Sequence, residues 1–151
     1  MNKQKKLDSI ITGSDNINNG KFGMSIALSA DGTIMAIGAP FRFSYDKKHN
    51  IHNSSFESVY IYNKVNDKWV QDFIITTEDS ADTQAFGISV SLSDNGSILA
   101  IGSYLRNSDG ITNSGAVYIY KKIGIAWIQK TIITAEDKED NDCFGFSVSL
   151  S

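Results

Sequence analysis

The residues able to do chemistry are few, and their spacing argues against catalysis. His49 and His52 are the only histidines and stand three residues apart. Zinc takes three or four ligands held by regular elements, and nothing near this pair fixes a third, so no metal site is expected. Cys143 is the single cysteine. It has no intramolecular disulfide partner, and beside Phe144 it reads as a small packing residue. The chain holds no G-x-S-x-G elbow, no phosphate-cradling glycine loop, and no serine or cysteine with an assignable histidine. The expectation is a non-enzyme without a cofactor.

Recognition chemistry is better represented. Residues 41–57, FRFSYDKKHNIHNSSFE, gather Phe41, Arg42, Phe43 and Tyr45 on one segment, and aromatic and arginine side chains are enriched at the centres of interfaces. A second segment, 104–114, offers Tyr104, Arg106 and Asp109. Acidic or asparagine-rich runs lie at 14–19, 78–82 and 136–142. They could gather a cation or a basic partner, and are read here as solvated loops that satisfy turn backbone. Asp79 and Asp137 align with Asp15 and are assigned as hydrogen-bond acceptors within those loops. These nine residues, from Phe41 to Asp137, are the candidate binding set.

What positions them is a repeat. KFGMSIALSADGTIMAIGA at 21–39 returns as AFGISVSLSDNGSILAIGS at 85–103 and begins again as CFGFSVSLS at 143–151. Phe22, Phe86 and Phe144 stand 64 and 58 residues apart, and the difference lies in one loop: Gly38 to Val59 is 21 residues, Gly102 to Val117 is 15. In each unit the first segment alternates, with Phe86, Ile88, Val90 and Leu92 on one face and Gly87, Ser89, Ser91 and Ser93 on the other. Period two predicts a strand with one bulky and one small face. The next segment, Ile98 to Ile101 or Ile34 to Ile37, is apolar throughout and so is expected to be buried on both faces. Asp31-Gly32 and Asn95-Gly96 lie between them as hairpin turns able to take positive φ. VYIY segments and a following tryptophan, Trp69 or Trp127, complete four strands per unit: 22–29, 33–38, 58–63 and 68–76, then 86–93, 97–103, 115–121 and 126–134. Four-stranded units at this period point to a β-propeller.

These motifs, F-G-x-S-[VI]-x-L-S, then D-G or N-G, then I-x-A-I-G-A-P at 34–40 and G-A-V-Y-I-Y at 115–120, resemble FG-GAP repeats, the blades of integrin α-subunit heads. The short, tryptophan-bearing subtype is the better likeness. Gly102-Ser103-Tyr104 departs from Gly38-Ala39-Pro40, and Lys5 stands where a tryptophan would fall. The resemblance implies an all-β fold whose crossings and long loops open on one binding face. It does not carry over the calcium sites of integrin blades, because turns as short as 29–33 and 93–97 cannot supply the six or more oxygens calcium takes.

The fold expected is a partial β-propeller. It has two complete antiparallel blades, 22–77 and 86–134, an orphan outer strand within 5–21 and an orphan inner strand at 144–151. Rings have about four to eight blades, which suggests a segment of a longer propeller. A net charge of -3 and a pI near 5.3 give no pull toward nucleic acid or anionic membranes. No apolar run is long enough for a signal peptide or a membrane span, and the compartment is left open. The function expected is a non-catalytic module contacting a protein or glycan through its loop face. The alternatives are an accessory portion of an enzyme whose active site lies elsewhere, and a structural repeat that self-associates through open blade edges.

Overall fold

The structure, a computed structural model, describes residues 9–13, 20–41, 43–46, 51–55, 57–77 and 85–151, with backbone alone for 43–46 and 51–55. Ten strands follow in order: β1 (Ser25–Leu28), β2 (Ile34–Ala39), β3 (Phe43–Asp46), β4 (Ile51–Ser55), β5 (Ser58–Val65), β6 (Lys68–Thr76), β7 (Ser89–Leu92), β8 (Ile98–Ser103), β9 (Ala116–Ile123) and β10 (Ala126–Ile133). They form two antiparallel sheets, β1-β2-β5-β6 and β7-β8-β9-β10, and a separate β3-β4 hairpin. Each four-stranded sheet is one blade of a partial β-propeller, with β1 or β7 innermost and β6 or β10 outermost. No helix long and apolar enough to cross a membrane occurs among the described residues.

The apolar pattern explains how the blades meet. Val90 opposes Ile101 and Leu92 opposes Leu99 in the β7–β8 ladder, so the bulky face of β7 and one face of β8 form a single surface. That surface buries against the first blade, joining Tyr118, Tyr120 and Trp127 to Ala36, Ile61 and Ile75 in one core. The small face of β1, Ser25 and Ala27, is what β7 packs on. A bulky row needs a shallow row opposite if two sheets are to reach close packing. The middle strands are buried on both faces as their composition requires: Met35, Ala36 and Ile37, then Leu99, Ala100 and Ile101, are all buried.

The conserved spelling within the repeat also makes the joint between blades. Ser25 Oγ donates to the Gly87 carbonyl at 2.8 Å, and Ser89 Oγ donates to the Gly145 carbonyl at 2.9 Å. Each F-G-x-S serine thus holds the F-G turn of the following unit. The last glycine of the β2 or β8 segment makes room for it: a methyl group on Gly38 would sit 2.0 Å from the Gly87 oxygen, and one on Gly102 1.9 Å from the Gly145 oxygen. The turns themselves recur, with positive φ at Lys21, Ala85 and Cys143 and again at Gly23, Gly87 and Gly145.

Two features differ from the sequence expectation. The 41–57 segment is not a plain loop, because β3 and β4 pair within it in the register Tyr45 to His52. In the tight turns only the glycines, Gly32 and Gly96, take positive φ. Asp31 and Asn95 instead accept hydrogen bonds from the side chains of Ser29 and Ser93 and the amides of Thr33 and Ser97. The two orphan segments stay unpaired among the described residues, and residues 5–8 and 14–19 of the first lie outside them. Residues 9–13 and 145–151 join no ladder, since no strand of the described residues lies beside them to supply one. Ile11 nevertheless packs on the first blade. Residues 144–150 follow β7 much as β7 follows β1, through a Gly115–Phe144 bridge and a bond from the Leu150 amide to Ser91 Oγ at 3.0 Å.

Candidate functional site

The loop between β8 and β9 folds on itself. Ser108 and Ile111 exchange backbone hydrogen bonds at 3.1 and 2.9 Å around an Asp109-Gly110 turn, and the Gly115 amide reaches the Arg106 carbonyl at 2.9 Å. The 138–144 crossing is then stitched to this loop. Asp140 accepts from the Thr112 amide at 2.8 Å, the Asn141 amide donates to the Thr112 carbonyl, and the Cys143 and Phe144 amides donate to Asn113 and Ser114. Lys138 Nζ lies 2.7 Å from Asp109 Oδ2, and that contact holds the Asp109 carboxyl below the usual carboxylate range.

The first blade solves the same problem differently. Glu57 occupies the position two residues before its VYIY strand that Gly115 occupies before the second. Its carboxylate takes the place of two loop carbonyls: Oε1 accepts from the Ala85 amide at 2.8 Å and Oε2 from the Phe86 amide at 2.7 Å. Glu57 is 5% exposed, and burial pushes its pKa up to about 7 although the two amides pull it down. Sequence reasoning missed Glu57. The available signal was a charged residue directly ahead of an apolar strand where the other unit has glycine.

The candidate binding residues do not converge. Arg42 and Asp79 lie outside the described residues, as do the side chains of Phe43 and Tyr45, which fall on β3. Phe41 is half-buried, with Lys21 Nζ 4.8 Å from its ring centre. Tyr104 meets Phe146 edge to face at 5.3 Å. Arg106 bonds Ser108 and lies over the Tyr118 ring at 5.9 Å. Asp109 is held by Lys138, and Asp137 is exposed. In the second blade the loop side chains are therefore spent largely on holding the loop face rigid. Among the described residues no group of three histidine, cysteine or acidic side chains could hold a metal ion.

The surface left uncovered is a blade face. Ile26 opposes Ile37 and Leu28 opposes Met35, the same pairings that Val90 and Leu92 make in the second blade. Yet Met24, Ile26 and Leu28 are 51%, 58% and 53% exposed, whereas Val90 and Leu92 are 8% and 5%. Deeper on this face Met35, Ile37, Tyr60 and Tyr62 are covered by Ile11, Phe22 and Trp69.

With this geometry in place, comparison with known families is decisive for one segment. Residues 69–120 match the FG-GAP repeat. The match begins at Trp69 on β6 and ends at Tyr120 on β9, so the FG-GAP unit straddles two blades and contains the F-G turn that joins them. No curated protein matches the chain. The FG-GAP repeat and the two four-stranded sheets together point to a β-propeller-type interaction module.

Proposed function

We propose that this chain is a non-catalytic interaction module whose binding surface is the bare face of the first blade, and that its partner is a protein presenting an apolar β-sheet. The observation that carries this reading is the contrast between two equivalent rows. Val90 and Leu92 are buried against Ser25 and Ala27 of the neighbouring blade, while Ile26 and Leu28 face solvent. A contiguous apolar face of this kind marks an association surface, and the internal joint supports a cover of one kind by analogy: a sheet whose nearest strand carries small residues, as β1 does for β7. The loop face then acts as a scaffold that fixes the blades, with Tyr104, Arg106 and Asp109 bracing it.

The test replaces Met24, Ile26 and Leu28 together by serine and follows association by sedimentation equilibrium over a concentration series, with a hydrophobic dye as a second reporter. The wild-type chain binds dye and associates with a small-residue sheet surface such as a separately prepared FG-GAP blade pair. The triple variant loses both properties and keeps its melting transition. Equal dye binding and equal association in the two proteins would overturn the assignment.

A further inference from the structure

The F-G-x-S units join in series, and the described residues hold two joints. In the first, Val90 and Leu92 of β7 cover the small row of β1, Ser25 and Ala27, and the Ser25 hydroxyl bonds the Gly87 carbonyl. In the second, Val148 and Leu150 are half-buried beside β7, the Ser89 hydroxyl bonds the Gly145 carbonyl, and the Leu150 amide bonds Ser91 Oγ. Each joint thus sets a bulky row on a small row and a serine on a glycine carbonyl. Two halves have no mate among the described residues. One is the bulky row of β1, Met24, Ile26 and Leu28, with the Gly23 carbonyl at its head. The other is the small row of Ser147 and Ser149: alternation turns these away from β7, and both are exposed.

We propose that the two halves meet between copies of this chain. The Met24 to Leu28 row of one copy sits on residues 147–149 of another, whose Ser147 hydroxyl donates to the first copy's Gly23 carbonyl. This rests on the reading of the bare face as the binding surface and names a second copy as its partner. The Gly23 turn is already shaped for the contact. Its φ of 88° matches 89° at Gly87 and 85° at Gly145, and the Met24 amide closes the turn on the Lys21 carbonyl at 3.0 Å, as the Ile88 amide does on Ala85. A preformed turn meets a hydroxyl without an ordering cost of its own. The receiving side is open as well. Ile133 pairs with Val117, which lies against Gly145, so it shares the second blade's far face with residues 145–151. It is 43% exposed, whereas Ile75, at the same place in the first blade, is 3% exposed. What covers Ile75 is the neighbouring blade, and no described residue gives Ile133 an equal cover. Because the two docking surfaces differ, the contact is heterologous, and copies add in one direction into a ring or a filament.

The experiment follows the full chain by sedimentation equilibrium over a concentration series, beside two variants. One is the triple serine variant of the bulky row; the other is S147R/S149R, which fills the small row at exposed positions. Wild type associates beyond a dimer as concentration rises. Each variant alone stays monomeric with its melting transition kept, and an equal mixture forms a 1:1 complex that grows no further, because one variant keeps its small row and the other its bulky row. S147A, which removes only the hydroxyl, weakens association about fivefold, the worth of one hydrogen bond, and stands in should the arginine variant unfold. The proposal is overturned if wild type stays monomeric throughout, if the small-row variants associate like wild type, or if the mixture gives no complex. A monomeric wild type that still binds the hydrophobic dye and a separate blade pair overturns only the partner named here. Equal dye binding by wild type and the triple serine variant removes the bare-face reading itself.

Discussion

Replacing Glu57 by alanine strips the acceptor from two buried amides at once, those of Ala85 and Phe86. An orphaned buried donor costs about 1–3 kcal/mol, so the substitution should destabilise the fold by about 2–5 kcal/mol at pH 5. The size of the effect must depend on pH, and the direction follows from the carboxyl itself. Its folded pKa of about 7 stands above the ordinary 4.5, which means that the folded protein binds this proton more tightly than the unfolded chain. The contribution of Glu57 is therefore fully present below about pH 4.5 and is lost as pH rises through 7. Burial is the main cause of the raised value, and ionising the group in place removes up to about 3 kcal/mol. Urea denaturation of wild type and E57A at pH 5 and pH 8.5 isolates this term, because the other titrating groups cancel in the difference. The penalty of E57A should shrink by about 2–3 kcal/mol at the higher pH. A penalty that is constant or grows with pH would refute the argument, as would one below about 0.5 kcal/mol at pH 5.

Two further predictions concern the joint and the turns. Gly38→Ala or Gly102→Ala drives a methyl group into a backbone carbonyl at about 2 Å and should cost more than about 3 kcal/mol in urea denaturation, the range of severe overpacking. Gly110→Ala, in open space at φ 81°, should cost only about 1 kcal/mol of backbone strain. Asp31→Ala should free the β1–β2 turn, because the Asp31 carboxylate receives the Ser29 hydroxyl and both the amide and hydroxyl of Thr33. Faster hydrogen exchange at the Thr33 and Ile34 amides, with the second blade unchanged, is the expected result.

The blade architecture was legible because its text recurs. Alternation in β7, double-sided apolarity in β8 and constant spacing from VYIY to tryptophan each repeat, and a pattern seen twice is hard to mistake. The β3–β4 hairpin has no second copy, and its polar, histidine-bearing strand gave no alternation to read. Glu57 was hidden for another reason. Its partners lie 28 and 29 residues away, and a carboxylate standing in for two carbonyls leaves no mark in local spacing. The row of Met24, Ile26 and Leu28 spells like the row of Ile88, Val90 and Leu92. Sequence shows that both are apolar, but only the assembled blades show which is covered.

The serine–glycine joint between blades has a consequence for how such chains grow. The donor sits on one unit and the acceptor on the next, so every duplicated unit arrives already carrying a socket for its predecessor and a plug for its successor. Length changes fall in the second-to-third-strand loop, 21 residues against 15 from glycine to valine, and the serine and the two glycines lie outside it. Duplication or deletion of one whole unit therefore leaves every remaining junction chemically identical, and the number of blades can drift over generations without any residue at a junction having to change.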